Sequence, residues 1–251
     1  MRYFVTGASG FIGSAVVAEL REAGHEVVGL ARSDASAEAV AALGAQVRRG
    51  TLDDVDGLAA AAAEADGVIH LGYVHDFTRM AEAAATDRAA IDAFGTALTG
   101  SGRPLVIAAG TLGLPTDRVA TEADVADPAA HPRTLNTQAA LAFADRGVRA
   151  IAVRFAPTVH GTGDHGFVAE LVRIARESGV SGYVGDGSNR WPAVHRLDAA
   201  RLVRLAVEGA PAGSVLHATA EEGVPTRRIA EAIATALGIG TAPVAPEHFG
   251  W

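Results

Sequence analysis

The sequence contains no cysteine and no lysine among its 251 residues. Without cysteine the chain forms no disulfide, has no thiolate nucleophile and binds no metal through sulfur, and this composition favours a cytoplasmic protein. All 21 basic residues are arginine. A Schiff-base lysine, a P-loop lysine and a tyrosine activated by a neighbouring lysine are therefore excluded.

Long apolar runs and a positive charge excess are also missing. No run of about 18 apolar residues is present, so no membrane span is expected, and the N-terminus has no signal-peptide pattern. The net charge of −8 argues against nucleic acid or an anionic membrane as partner. We expect a small-molecule substrate, and a homodimer stays open. The 49% hydrophobic content is enough for an α/β domain with an appended lobe.

The glycine spacing near the N-terminus predicts a dinucleotide-binding turn. Residues 2–6 form an apolar run suited to a buried parallel strand, and Gly7, Gly10 and Gly13 follow at G-x-x-G-x-x-G spacing. Residues 11–23 then have a helical pattern. Such a turn presents unpaired N–H groups and the positive end of the helix dipole to a pyrophosphate. A tight strand-to-helix turn without a ligand is the alternative.

Strands and helices alternate along the rest of the chain. After the first strand and helix, strands are expected at residues 25–31, 45–52, 67–73, 104–109, 148–157 and 214–220, and helices at residues 53–66, 81–98, 134–146, 167–178, 197–208 and 226–237. This alternation predicts an α/β fold with a doubly wound parallel sheet and right-handed crossovers. Glycine-rich loops after Pro157 predict a small C-terminal substrate lobe.

Four segments resemble the extended short-chain dehydrogenase/reductase superfamily of the NAD-dependent epimerase/dehydratase type. They are VTGASGFIG at residues 5–13, VIHLG at 68–72, VRFAPTVHG at 153–161 and YVGDGSNRWPAVHRLDAARL at 183–202. The resemblance covers nearly the whole chain and implies a Rossmann-like fold with an NAD(P) cofactor. It implies an NAD(P)-binding domain at residues 1–157, completed by parts of 193–220, and an interleaved substrate lobe at 158–251. The end at Trp251 is earlier than the resemblance suggests, which leaves open a further segment closing that lobe.

The active-site residues that this resemblance implies are missing. The family uses a tyrosine, a lysine four residues later, and a serine or threonine at the end of the fifth strand. In the corresponding frame this sequence has Arg133, Thr137 and Ala109, with Thr111 two residues beyond Ala109. The sequence is therefore most similar to the atypical subgroup that keeps the cofactor motif and lacks the tyrosine–lysine pair.

The end of the second strand predicts NADP as the cofactor, with NAD as the alternative. Arg32 and Ser33 suit a 2′-phosphate, whereas Asp34 favours the free 2′-hydroxyl of NAD. Thr51 stands where the family usually has an aspartate that contacts adenine. The cofactor-binding positions implied by the resemblance are Gly7, Ser9, Gly10, Phe11, Ile12, Gly13, Arg32, Ser33, Leu52, Asp53, Leu71, Gly72, Ala109, Pro157 and Val159.

Groups that could replace the missing triad are expected on loops at the carboxyl ends of the strands. His160 is the first candidate for the proton donor, because histidine titrates near neutral pH, and Tyr73 is the second. A neutral His160 bonded to loop backbone is the alternative. The candidate substrate-binding residues are Thr111, Arg133, His165, Arg190 and Trp191.

The remaining polar loop residues are expected to have structural roles and not catalytic ones. His75 and Asp76 are expected to be a solvated pair, and His195 to serve packing. His160 and His165 flank Asp164, but this glycine-rich loop has no helical i, i+4 histidine pair, so no metal site is expected.

The sequence thus predicts a cytoplasmic NADP(H)-binding oxidoreductase that acts on a small organic carbonyl or hydroxyl group. Hydride transfer depends mainly on orientation, so redox activity can survive loss of the triad. Two alternatives remain: a non-catalytic NADP-binding sensor or regulatory protein, and an NAD(P)-dependent isomerase or lyase.

Overall fold

The computed structural model describes residues 1–75 and 78–245 of the chain. The chain divides into two compact units: unit 1 comprises Met1–Phe155 and Arg196–Ala218, and unit 2 comprises Ala156–His195 and Thr219–Trp251. Among the helices of the described residues, none has the length and apolar character that a membrane span requires.

Strands and helices alternate along unit 1 and continue into unit 2. The strands of the described residues are β1 (Arg2–Thr6), β2 (Glu26–Ala31), β3 (Gln46–Arg49), β4 (Gly67–His70), β5 (Pro104–Gly110), β6 (Arg149–Phe155), β7 (Thr158–His160), β8 (Val180–Val184), β9 (Arg190–His195), β10 (Val215–Ala218), β11 (Glu221–Pro225) and β12 (Gly240–Val244). The α-helices of the same residues are α1 (Phe11–Glu22), α2 (Asp34–Ala42), α3 (Val55–Ala63), α4 (Met80–Leu98), α5 (Arg133–Ala142), α6 (Phe167–Ser178), α7 (Arg196–Gly209) and α8 (Thr226–Leu237).

The sheet of unit 1 has seven strands in the order β10-β6-β5-β4-β1-β2-β3, and every neighbouring pair is parallel. This confirms the predicted Rossmann-like doubly wound sheet. The strand order reverses between β1 and β4, and ligands of such sheets bind beyond the carboxyl ends of the strands at that reversal.

One layer of the core of unit 1 is formed by α3, α4 and α5 against the sheet. Large side chains that are almost wholly buried there include Phe4, Leu58, Phe94 and Leu105. Burial of apolar area at about 25 cal/mol per Å² makes such a layer the main stabilising contribution. The register aligns Thr6 with His70, so these polar side chains lie together where β1 and β4 end.

The sequence prediction missed helix α2 between the second and third strands. Ser33 is its N-cap, and its hydroxyl accepts a hydrogen bond from the Ser36 N–H while the Ser36 hydroxyl accepts one from the Ser33 N–H. This reciprocal cap satisfies two N–H groups of the first turn. The signal, a serine before an alanine-rich stretch that stops near Gly44, was present in the sequence.

Other predicted boundaries shift in ways that matter for the site. The fourth strand ends at His70, so Leu71 to Tyr73 are in the following loop and not in the strand. Helix α5 begins at Arg133, one residue earlier than predicted, and passes into a 3-10 helix at Phe143–Arg146.

In unit 2, short strands are present where the sequence predicted mainly glycine-rich loops. It has a three-stranded sheet in the order β11-β9-β7 and a two-stranded pair of β12 and β8. Each strand has only three to six residues, and glycine or proline interrupts several of them. Such short runs carry little periodic signal, which is why the sequence did not reveal them.

Candidate functional site

The glycine turn between β1 and α1 has almost no space for side chains at two of its three glycines. A Cβ on Gly13 would lie 1.9 Å from the Gly7 carbonyl oxygen, and one on Gly7 would lie 2.7 Å from the Gly72 nitrogen. Gly7 also has a φ of +67°, which favours glycine. A Cβ on Gly10 would meet only the Gly7 oxygen, at 3.2 Å. A side chain at Gly7 or Gly13 would therefore displace backbone atoms, whereas one at Gly10 would need only a small shift of the Gly7 carbonyl.

The neighbouring positions that were predicted to bind the cofactor lie around this turn. Ser9 is exposed, whereas Phe11 and Ile12 are half-buried at the first turn of α1. The Phe11 ring contacts the guanidinium of Arg196, whose carbon lies 5.1 Å from the ring centroid. No acidic side chain stands in the first turn of α1, so the helix N-terminus keeps its favourable field for an anion.

The end of β2 presents an arginine beside a paired aspartate. Arg49 donates to the Ser33 carbonyl oxygen at 2.5 Å and to Asp34 Oδ1 at 2.8 Å. Arg32 is exposed, and it forms no ion pair with any residue of 1–75 or 78–245. The Ser33 hydroxyl caps α2, so its predicted contact with a 2′-phosphate would compete with that cap.

The loop after β3 is tied to α4. Thr51 and Asp53 are exposed and Leu52 is half-buried. Thr86 donates its hydroxyl to Asp53 Oδ1 at 3.2 Å, and the Asp53 N–H donates to the Thr51 hydroxyl at 3.3 Å. Thr51 thus orders the loop in this chain.

A buried polar cluster lies directly behind the strand ends of unit 1. Thr6 and His70 are 0% and 1% exposed, and Thr6 Oγ1 is 2.7 Å from His70 Nδ1. His70 Nε2 lies 3.3 Å from Asp87 Oδ1, which is on α4. His70 therefore lies between two polar groups, with Nδ1 facing the Thr6 hydroxyl and Nε2 facing the Asp87 carboxylate.

Asp87 joins this cluster to helix α5. Its Oδ2 accepts a hydrogen bond from Asn136 Nδ2 at 2.7 Å and lies 3.6 Å from Arg133 Nε. Burial acts to raise the pKa of Asp87, but the His70 contact and the Arg133 charge outweigh it and hold that pKa below its ordinary value. Asp87 is therefore a buried carboxylate that stays ionised because a cation faces it.

Arg133, where the family has its tyrosine, contacts the aromatic ring of Tyr73. Its guanidinium carbon lies 4.1 Å from the Tyr73 ring centroid, and one of its nitrogens donates to the Ala108 carbonyl oxygen at 3.1 Å. Burial raises the pKa of Tyr73, the Arg133 charge opposes that rise, and Asp87 adds to it. At neutral pH the phenol is consequently protonated.

Thr137 and Ala109 occupy the positions where the resemblance implies a lysine and a serine or threonine, and neither side chain replaces those groups. Thr137 donates its hydroxyl to the Arg133 carbonyl oxygen within its own helix, at 3.4 Å. Ala109 is 8% exposed at the end of β5. Thr111 follows in a half-buried loop position, where it remains a candidate for substrate contact.

In unit 2 the first proton-donor candidate faces another histidine. His160 ends β7 opposite His195 of β9, and their ring centroids are 5.6 Å apart in an edge-to-face arrangement. An open hollow of about 400 Å³ is lined by His160, Asp164, Arg173 and other residues of this loop and α6. His165 is exposed. Pro157 is exposed and Val159 pairs with Val194.

Arg190 and Trp191, two of the predicted substrate-binding residues, have different surroundings in unit 2. Arg190 is exposed and donates to the Gly223 carbonyl oxygen at 2.9 Å. Trp191 packs on Phe167 with ring centroids 4.6 Å apart, and it lines an apolar cavity of about 280 Å³ between α6 and α8. Trp191 thus contacts Phe167 and also borders this cavity.

His70, Asp87 and Asn136 are not among the site residues predicted from the sequence. Asp87 had a detectable signal: it lies on the same helical face as Ala83, Ala84 and Ile91, which are all buried, so a carboxylate was placed on an apolar face. Asp76 lies outside the described residues. Within residues 1–75 and 78–245, no three potential metal ligands are grouped so as to hold a metal ion.

A family model and individual proteins match most of this chain. Over residues 3–218 the chain matches the model of the NAD dependent epimerase/dehydratase family. An uncharacterized protein of Schizosaccharomyces pombe is 48% identical over 100% of this chain and 87% of its own length. The 2-alkyl-3-oxoalkanoate reductase of Stenotrophomonas maltophilia is 31% identical over 95% of this chain and 76% of its own length.

Solved structures share the fold. The complex of MoeE5 with UDP-glucose and NAD superposes with a TM-score of 0.78 and 25% identity, over 98% of this chain and 85% of that one. The dTDP-glucose 4,6-dehydratase DesIV from Streptomyces venezuelae superposes with a TM-score of 0.80 and 22% identity, over 98% and 84%. The resemblance found in the sequence is confirmed, and the chain belongs to the NAD dependent epimerase/dehydratase family.

Proposed function

We propose that the protein is an NADP(H)-binding oxidoreductase that reduces a small organic carbonyl group or oxidises the corresponding hydroxyl. One observation carries the proposal. The Tyr73 phenol, stacked against Arg133, comes directly after Gly72, whose backbone nitrogen closely approaches Gly7 of the glycine turn. A proton-bearing group and a cation therefore lie at the strand end that adjoins the dinucleotide turn.

The glycine turn fits the pyrophosphate of a dinucleotide. Gly10, which has no side chain, precedes the N-terminus of α1, a helix of 12 residues, and the first N–H groups of a helix attract phosphate. When bound, the reduced cofactor supplies hydrogen with two electrons to the carbonyl carbon. The proposed contacts in unit 2, Pro157 and Val159, depend on the family resemblance.

Arg32 supports NADP as the preferred cofactor. Its guanidinium is exposed at the end of β2, and the competing carboxylate of Asp34 is already paired with Arg49. A planar guanidinium suits a phosphate dianion. The MoeE5 and DesIV complexes contain NAD, which keeps NAD as the alternative.

Of the two reaction directions, we favour reduction of a carbonyl substrate. It is supported by the 31% identical relative, which is named a 2-alkyl-3-oxoalkanoate reductase. In unit 1, Thr111 and Arg133 are the proposed substrate contacts. His165, Arg190 and Trp191 of unit 2 are proposed as substrate contacts from the family resemblance alone. His160 and Tyr73 are the candidate proton donors. The cysteine-free composition supports our proposal of a cytoplasmic location.

The absence of the triad favours two competing functions. Ala109 and Thr137 supply neither the hydroxyl nor the cation of the family's usual site, as expected for a sensor that holds NADP without consuming it. An isomerase or lyase would use the cofactor transiently, with no net change in its oxidation state.

The experiment is a binding and turnover assay with the purified protein. We expect NADPH to bind by calorimetry, and absorbance to show net NADPH consumption with at least one member of a panel of small ketones, aldehydes and 3-oxo acids. Tight binding without consumption would favour the sensor, and conversion of a substrate without net consumption would favour the isomerase or lyase. Absence of any dinucleotide binding would contradict all three.

A further inference from the structure

We propose that Tyr73 is the proton donor, that Arg133 stabilises its phenolate, and that Asp87 is the positioning residue that holds Arg133 against the ring. The proposal rests on the proposed function, since a proton donor needs a reaction to serve. It ranks Tyr73 above His160 and gives a role to the buried carboxylate of Asp87.

The Arg133 guanidinium contacts both the Tyr73 ring and a backbone carbonyl group. The guanidinium carbon is 4.1 Å from the ring centroid, and the same group donates to the Ala108 carbonyl oxygen at 3.1 Å. A cation over an aromatic face is attracted by the ring electrons. That attraction grows when the phenol loses its proton, because the ring then carries a full negative charge.

Asp87 fixes the position of Arg133 from within the core. Its side chain is 2% exposed and the Arg133 side chain is 21% exposed. Leaving a buried carboxylate without a cation is strongly unfavourable, so Arg133 is retained within 3.6 Å of Asp87 Oδ2. Asn136 orients the carboxylate by donating to the same oxygen, and it also donates to the Ala84 carbonyl oxygen at 2.8 Å.

The same cluster also anchors the loop that carries Tyr73. His70 lies between Asp87 and the Thr6 hydroxyl, and that hydroxyl accepts a hydrogen bond from the Gly72 N–H at 3.0 Å. Thr6 immediately precedes Gly7, so the cluster joins the cofactor turn, the Tyr73 loop and Arg133. Both members of the pair are therefore held relative to the dinucleotide turn.

The proton-transfer step balances with these groups. When bound, the reduced cofactor would supply hydrogen with two electrons to the substrate carbonyl carbon, and the π pair of the C=O bond would move onto oxygen. The Oη–H bond of Tyr73 breaks as its proton forms the new O–H bond of the alcohol. The phenolate left behind faces Arg133 and regains a proton from solvent water.

Among the residues that the structure describes, three charged or titratable side chains lie near Tyr73 or act on its charge. Arg133 comes from α5, Asp87 from α4, and His75 from the same loop, with its ring centroid 5.4 Å from that of Tyr73. Burial is the largest influence and raises the pKa of Tyr73, and Arg133 is the influence that lowers it. Removing Arg133 should therefore make the phenol a weaker acid.

Fluorine NMR of protein labelled with fluorotyrosine tests the pairing without substrate or cofactor. The chain has three tyrosines, so Tyr73→Phe assigns one resonance. We expect Arg133→Met to raise the titration midpoint of Tyr73 by about one to three pH units, and Arg133→Lys to keep it near the wild-type value. Arg227→Met, which removes the cation near Tyr183, is the control that should leave the Tyr73 midpoint unchanged.

If Arg133→Met does not fold, the double variant Asp87→Asn/Arg133→Met removes both charges and leaves neither partner buried alone. Its Tyr73 midpoint should also rise, because the influence of Arg133 exceeds that of Asp87. A midpoint equal to that of wild type in every folded variant without Arg133 would overturn the pairing.

A kinetic measurement tests the donor role separately. Tyr73→Phe should lower kcat by about 100-fold or more while NADPH affinity stays near that of wild type. Asp87→Asn should lower kcat, with a smaller change in KM. Undiminished turnover in Tyr73→Phe would overturn the donor role and leave the oxidoreductase function standing. A wild-type protein that consumes no NADPH with any carbonyl compound, yet shows the NMR coupling, would instead overturn the oxidoreductase function.

Discussion

Gly13 packs so closely on Gly7 that a Cβ on Gly13 would stand 1.9 Å from the Gly7 carbonyl oxygen. This contact lets the first turn of α1 approach the end of β1, which brings the helix N-terminus to the proposed dinucleotide site. Gly10, at the N-cap of the same helix with a φ of −76°, has no comparable restriction. The three glycines of one motif therefore have different roles.

The first prediction separates those roles by substitution. Gly10→Val should keep the fold and abolish NADPH binding, because its branched side chain would occupy the space of the phosphate. Gly13→Val should instead unfold or strongly destabilise the protein, because its side chain has no free volume. Calorimetric titration with NADPH and thermal unfolding measure the two effects. Wild-type NADPH affinity in folded Gly10→Val would sink the cofactor assignment.

The second prediction concerns cofactor choice. Arg32→Asp should weaken NADP binding roughly 10- to 100-fold, since it removes a charge-assisted contact with the 2′-phosphate and adds repulsion, and NAD binding should change much less. Arg201→Asp, an equal charge change at an exposed position of α7, is the matched control. If wild-type protein binds NAD as tightly as NADP, the interpretation of Arg32 is wrong.

The third prediction concerns the stability of the buried cluster. Asp87→Asn leaves Arg133 without its carboxylate and should lower the free energy of unfolding by about 3–5 kcal/mol. Asp92→Asn breaks an ion pair with Arg88 on the same helix, where both side chains are 46% exposed, and should cost less than about 1 kcal/mol. Urea denaturation followed by circular dichroism compares them. Equal losses would show that Asp87 has no special role in stability.

The pH dependence of this stability has a definite sign. Because the pKa of Asp87 is lower in the folded protein than its ordinary value, its contribution is complete above the ordinary carboxyl pKa of about 4. The contribution is lost as the pH falls through the lower, folded-state pKa. The difference in unfolding free energy between wild type and Asp87→Asn should thus shrink on acidification. A constant difference down to acid unfolding would contradict the ionised state of Asp87.

The fourth prediction decides between the two proton-donor candidates. We expect the larger loss of turnover in Tyr73→Phe, by about 100-fold or more, and the smaller loss in His160→Ala. His160→Gln, which keeps a polar side chain but carries no titrating group, is the companion variant. A larger loss of turnover in His160→Ala and His160→Gln than in Tyr73→Phe would reverse the ranking.

The sequence revealed much of unit 1, because the features that specify it are local. The glycine spacing at Gly7, Gly10 and Gly13 and the alternating strand and helix patterns lie within short windows, where periods of about 2 and 3.6 residues are readable. The missing α2 also had a local signal at Ser33. The strands of unit 2 did not, because their short runs are interrupted by glycine and proline.

Because the sequence contains no lysine, composition alone excludes a tyrosine–lysine pair in this chain. The spacing of residues in its motifs identified the family. Only the tertiary structure revealed what surrounds Arg133. Thr6 and His70 meet across 64 residues and Asp87 and Asn136 across 49 residues. Such pairs depend on the strand order and on how α4 and α5 pack on the sheet, and no short-range pattern encodes them. Burial then gives these contacts their strength, because a low-dielectric interior binds a carboxylate to its cation more tightly than water does.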